Sequence, residues 1–249
     1  MHDPVGLLLL GTVAFLLAGT IKGMVGLGLP TTAIGVMTLF IAPRTAIVLV
    51  LFPMILTNAW QVWRMGDIRA ALMRYLPFAL TLAVGVGLTS VLAASASDRL
   101  IYAILGGVIV LFVLVNLALR VPPLPERWDL AAQIGLGCVA GVMGGMTAVW
   151  APPMAIYLTA RQVDKDEFVR VTGLLIFLGS LPLAWGFVRT GQLTSELGFI
   201  SLALVLPAMA GFAVGERLRN AMDQARFRKV FLWIFLALGL NLIRRAIFG

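Results

Sequence analysis

Apolar residues run nearly unbroken through this chain in ten stretches, separated by short polar or basic turns. The stretches fall at 4–21, 29–41, 45–63, 75–94, 100–119, 129–147, 152–160, 167–188, 197–215 and 230–248. Most approach the ~20 residues with which an α-helix crosses a bilayer. The second and seventh, at 29–41 and 152–160, are clearly shorter, and each follows a run of small residues that ends in proline. The pattern predicts long helices throughout, with two short helices entered through breaks.

The breaks are GTIKGMVGLGLP at 19–30 and GVMGGMTAVWAP at 141–152. Gly19, Gly23 and Pro30 of the first align with Gly141, Gly145 and Pro152 of the second. Helical backbone is weakened by glycine and interrupted by proline, which has no N–H to donate. Within hydrocarbon, non-helical backbone survives only where protein encloses it or where it lines a polar cavity. The repeat extends beyond the breaks. Trp60, Arg64 and Gly66 recur as Trp185, Arg189 and Gly191, and Asn116 and Arg120 recur as Asn241 and Arg245. An internal repeat of this kind divides the chain into a first transmembrane repeat at 1–119, a proline-rich loop at 120–128 and a second repeat at 129–249.

Basic residues set the crossing pattern. If each long first run and its short successor form a hairpin, one face collects thirteen Lys and Arg residues, among them Arg64, Arg74, Arg120, Arg161, Arg170 and Arg217. The other face receives five: Arg44, Arg99, Arg189, Arg244 and Arg245. If each pair instead crosses once, the split is eight against ten and carries no bias. The positive-inside rule selects the hairpin arrangement. Five segments per half make the halves inverted relative to one another. The predicted fold is an all-α polytopic membrane protein of two inverted repeats, each a broken-helix hairpin plus three further transmembrane helices. Both termini are predicted periplasmic, in a multi-pass protein of the bacterial inner membrane.

Composition agrees: of 249 residues, 61% are hydrophobic and only 12% are charged, and the mean hydropathy is +1.01. The net charge of +8 follows from basic loops and gives no case for nucleic acid. The basic segment 216–229 suits acidic lipid headgroups at the cytoplasmic surface. The opening residues 1–19 lack a basic n-region and align with an internal segment, so they are read as a span and not as a signal peptide. A single cysteine, Cys138, and a single histidine, His2, offer no disulfide framework and no metal site. Every carboxylate lies in or beside a loop, so neither an acidic proton relay nor a catalytic acid/base pair can be assembled within the spans. No cofactor is expected.

An anion fits what remains. Lys22 is the charged residue of the two breaks, and charges at membrane depth are costly and usually functional. Its bland alternative is a lysine that snorkels to the interface. Gly23, Gly26 and Gly28, with Gly145 in the second break, let backbone N–H groups approach a ligand, and the short helices begin near Pro30 and Pro152. Helix N-termini favour anions. Thr31, Thr32 and Thr147 add hydroxyls, and Asn58 and Gln61 add amides along the path. Some of these glycines also serve close helix packing. Arg64 and Arg189 are candidate recruiting groups at opposite mouths, or else interfacial anchors beside Trp60, Trp63 and Trp185.

The paired breaks GTIKGMVGLGLP and GVMGGMTAVWAPP, each followed by a short helix, resemble the TauE/SafE sulfite-exporter family. The turns Arg64-Met65-Gly66-Asp67-Ile68 and Arg189-Thr190-Gly191-Gln192-Leu193 resemble it too, and the likeness covers nearly the whole chain. This chain departs from the family's more glycine-rich pattern at Leu29 and at Trp150-Ala151. Inverted repeats with broken elements are a recurrent architecture of alternating-access carriers, so a secondary transporter is expected from the topology itself. The resemblance implies that its substrates are small sulfur-containing anions (sulfite, sulfonate or sulfoacetate type), with export favoured. An anion channel is the alternative, and a membrane-embedded enzyme a more distant one. The implied partners are a small anionic substrate and membrane lipid, with a homo-oligomer left open. The topology is directly testable: single cysteines at Asp3 and Gly249 label from outside intact cells, and one at Asn220 does not. Labelling of the two termini from opposite faces would reject the five-plus-five arrangement.

Overall fold

A computed structural model describes residues 4–118, 122–218 and 224–248. Arg120, the terminal positions and most of the basic segment 216–229 lie outside the described residues or have undescribed side chains, as does the side chain of Asn116. Thirteen α-helices are found among the described residues, in chain order: α1 (Pro4–Val25), α2 (Leu29–Met37), α3 (Pro43–Leu49), α4 (Leu51–Met65), α5 (Ile68–Arg74), α6 (Leu76–Leu92), α7 (Asp98–Ala118), α8 (Asp129–Thr147), α9 (Ala151–Ala160), α10 (Lys165–Arg189), α11 (Ser195–Ala203), α12 (Val205–Leu218) and α13 (Gln224–Phe248). Six stretches of the described residues are long and apolar enough to cross a membrane. The chain is therefore a multi-pass helical membrane protein.

The two short runs are short helices. α2 has nine residues and α9 has ten, half of what a crossing needs, and each packs back on the helix before it. Two long runs are subdivided in a way that hydropathy does not reveal. α3 gives way to α4 at Val50, three residues before Pro53, and α11 gives way to α12 at Leu204, three residues before Pro207. Each proline sits in the first turn of the new helix, where its missing N–H has no intrahelical partner to lose. Pro77 plays the same part after Tyr75, where the turn-like α5 meets α6.

Packing is reciprocal between the halves. α1 lies along α12, α8 lies along α6, and α4 with α10 and α7 with α13 complete the set. Small residues permit the first two contacts. A Cβ on Gly19 would stand 2.2 Å from the Ala208 carbonyl oxygen, and one on Gly23 2.2 Å from that of Phe212. From the other side, a Cβ on Gly211 would stand 2.2 Å from Leu16 O and one on Gly215 2.0 Å from Thr20 O. In the second contact, a Cβ on Gly141 would meet Gly85 Cα at 2.8 Å, and one on Gly145 would meet Val86 O at 2.7 Å. Lipid tails are as apolar as leucine, so helix association in a membrane rests on close van der Waals fit, which these glycines supply.

These contacts leave no room for a side chain. Gly19→Leu and Gly141→Leu should each destabilise the fold by about 3 kcal/mol or more, because the obstructing atoms are backbone. Gly107, also helical, has open space where its Cβ would be, so Gly107→Ala should be neutral or slightly stabilising. Melting temperatures of the three purified variants check the contrast; a native-like Gly141→Leu would contradict it.

Candidate anion site at the first helix break

The first break forms because two glycines take conformations closed to other residues. Gly26 has φ 90° and Gly28 has φ 104°. The Gly26 N–H donates to Lys22 O at 2.7 Å and closes the last turn of α1. The Gly28 carbonyl accepts from the Thr32 N–H at 2.9 Å and from the Thr32 hydroxyl at 2.7 Å, opening α2 with Pro30 in its first turn. The second break repeats the first of these two turns but not the second, since Trp150, where the first break has Gly28, has φ −125°. Ala148 stands where the first break has Gly26, at φ 57°, and its N–H donates to Gly144 O at 2.7 Å. A left-handed alanine costs about 1–2 kcal/mol, so the surrounding packing holds it there.

The break places Lys22 inside the protein, with only 1% of its surface exposed. Its ammonium donates to Asn58 Oδ1 and stands 6.0 Å from the centre of the Phe212 ring. Among the described residues no carboxylate forms an ion pair with it. Asn58 is oriented for this role by its own amide, which donates to Met54 O at 2.6 Å. Snorkelling is therefore not what Lys22 does; the side chain stays among α1, α4 and α12.

Beside Lys22 is a cavity of about 100 Å³, lined chiefly by Lys22, Gly26, Gln61, Arg64, Phe212 and Glu216. The Gln61 amide N–H donates to Val169 O at 2.7 Å and lies 3.4 Å from Gly26 O, tying α4 to the start of α10. Its Oε1 is buried and has no partner. Arg64 Nη1 donates to both Glu216 oxygens, at 2.9 and 2.7 Å, across the halves. Glu216 was legible in sequence only as one more residue at a span end. Its signal is structural: a Cβ on Gly23 would stand 2.8 Å from Glu216 N, so the glycine contact itself brings the carboxylate next to Lys22.

The other candidates divide. Thr31 is buried with an unpartnered hydroxyl, and it lines a second, far smaller space of about 10 Å³ between the break tips, with Gly28, Pro30, Ala148 and Trp150. Trp150 Nε1 is also buried without a partner. Thr32 and Thr147 spend their hydroxyls on backbone carbonyls, Gly28 O and Met143 O. Gly23 and Gly145 sit at helix contacts, Gly23 also lining the Lys22 cavity, and Pro152 lies buried in the first turn of α9. Of the second break, neither Gly145, Thr147 nor Pro152 reaches the Lys22 cavity. Arg64 and Arg189 part company as well. Arg189 is exposed, with its guanidinium 5.9 Å from the centre of the Trp185 ring, and it has no carboxylate partner among the described residues.

Ion pairs between the halves cluster on one face. Arg64–Glu216 at 2.7 Å, Arg74–Glu167 at 2.8 Å and Arg170–Asp67 at 3.7 Å all join residues of the basic-rich side. The Tyr75 hydroxyl donates to Glu167 Oε1 at 2.5 Å, and burial together with this bond pushes the phenol's pKa up. On the opposite side Arg44 pairs with Asp98 of its own half, and Arg245 donates to the carbonyls of Thr38 and Leu39.

The site is thus a buried cation with amide and guanidinium neighbours and no paired carboxylates placed for acid/base chemistry. No solved structure matches the chain. A curated protein of Cupriavidus necator, named "Probable sulfite/organosulfonate exporter TauE", is 28% identical over 96% of this chain and 95% of its own length. The model of the family described as "Sulfite exporter TauE/SafE" matches residues 11–242, and the chain accordingly belongs to that family of membrane transporters.

Proposed function

We propose that the protein is a secondary transporter that carries small sulfur-containing anions, of the sulfite, sulfonate or sulfoacetate type, across the inner membrane by alternating access, with export favoured. One observation carries the substrate charge: Lys22 is buried beside a cavity, and among the described residues no carboxylate forms an ion pair with it. An ammonium withdrawn from water loses several kcal/mol of hydration, on the order of what an ion partner must return. An oxyanion in the cavity supplies that partner. The name of the Cupriavidus necator relative supports a sulfite or organosulfonate as the anion and export as the direction.

Alternating access is supported by the reciprocal packing, in which α1 on α12 and α8 on α6 are one contact made twice with the halves exchanged. Under the inverted topology, the three ion pairs between halves lie on the cytoplasmic side, and both termini lie on the periplasmic side. Exposed pairs of this type are worth roughly 0–1 kcal/mol each, so a rocking motion can break them at small cost. The anion enters past Arg64, rests against Lys22 and the Gly26 turn, and leaves when the break tips at Gly28 and Trp150 part. Parting would also uncover the Thr31 hydroxyl and the Trp150 N–H, both now without partners.

Flux in proteoliposomes tests the assignment. Lys22→Gln should lower saturable sulfite or methanesulfonate transport at least tenfold, and Lys22→Arg should retain more, since it keeps the charge with altered geometry. Both should remain folded. A native rate and native half-saturation in Lys22→Gln would remove Lys22 from the path.

A further inference from the structure

We infer that Glu216 sets the charge of the anion: by neutralising Arg64 at the cavity, its carboxylate leaves Lys22 as the one unmatched cation, so the site takes a monoanion in preference to a dianion. The inference rests on the Lys22 cavity being the substrate site. Three charged side chains line that cavity, namely Lys22, Arg64 and Glu216. Arg64 gives its Nη1 to both oxygens of Glu216, and Lys22 has only the neutral Asn58 oxygen. The cavity therefore carries a single unmatched positive charge.

The backbone at Glu216 is packed closely, its N lying 2.8 Å from where a Gly23 Cβ would be, in a contact between α1 and α12 that admits no larger residue. Glu216 lines the same cavity as Lys22, and its carboxylate is engaged there by Arg64. A monoanion beside Lys22 meets one opposite charge. A dianion in the same place brings a second negative charge that no cation answers, in a cavity that Glu216 also lines. Beside the buried Lys22, an unpaired charge and a like-charge approach are both unfavourable. The repeat has no second copy of this device, because Ser90 stands there: its N lies 2.8 Å from where a Gly145 Cβ would be, as Glu216 N does for Gly23.

Calorimetry on the purified full chain in detergent, at fixed ionic strength, tests the inference with two probes: methanesulfonate as monoanion and sulfate as dianion. The native protein should bind methanesulfonate at least tenfold more tightly than sulfate. Glu216→Gln frees Arg64, leaves two unmatched cations, and should shift the ratio at least tenfold toward sulfate. The double variant Arg64→Gln/Glu216→Gln returns the cavity to one unmatched cation and should restore the native preference, which a merely structural ion pair would not do. Equal native affinity for the two anions, or a native ratio retained in Glu216→Gln, overturns the role given to Glu216. Should Glu216→Gln fail to fold, the native ratio decides alone. Binding of neither anion by native protein would instead reject the Lys22 cavity as the anion site.

Discussion

A helix interrupted inside hydrocarbon must have its free backbone groups enclosed by protein, and this constraint governs the rest of the molecule. The two breaks can be enclosed only if neighbouring helices come close, which the glycines of α1, α12 and α8 allow at backbone distance. Because α1 leans on α12 and α8 on α6, the first helix of each half is sheltered by the other half. The interlocking of the repeats is therefore part of how each break survives.

The breaks themselves were legible in sequence, since Gly26, Gly28 and Pro30 have few other uses within an apolar run, and the short lengths of the following runs agree with nine- and ten-residue helices. The uneven distribution of arginine was equally plain. Other features were hidden for physical reasons. Pro53 and Pro207 read as tolerable residues within spans because hydropathy carries no hydrogen-bond register, yet each begins a new helix. Gly23 both lines the Lys22 cavity and packs against α12, whereas Gly145 lies at a helix contact away from that cavity; sequence alone does not separate the two uses. Glu216 lies far from Lys22 in sequence, so its place at the same cavity depends on the α1–α12 contact, which no local pattern encodes.

The halves share a plan but differ in chemistry. Where the first break has Lys22, the second has Gly144, and where the first has Gly28, the second has Trp150. A bulky indole fills the second break, and its six-membered ring approaches within 2.3 Å of where a Gly144 Cβ would be. The cavity of about 100 Å³ lies on the Lys22 side, and among the described residues Arg64 has a carboxylate partner that Arg189 lacks. The two breaks share a pattern of small residues and proline, and their differences at a few positions leave Lys22 as the charge of the first alone.

At the centre of this account is a buried ammonium with which no carboxylate among the described residues forms an ion pair. Such a group costs stability until an anion arrives, and replacing it by an apolar side chain of similar length should relieve that cost. Melting curves of native protein and Lys22→Met, each with and without sulfite, test the point most directly. The expected result is an unliganded Lys22→Met at least as stable as native protein, with the sulfite-dependent rise in melting temperature present in the native protein and absent in the variant. A Lys22→Met protein that melts lower than native when unliganded, yet keeps the full rise with sulfite, would contradict the central claim.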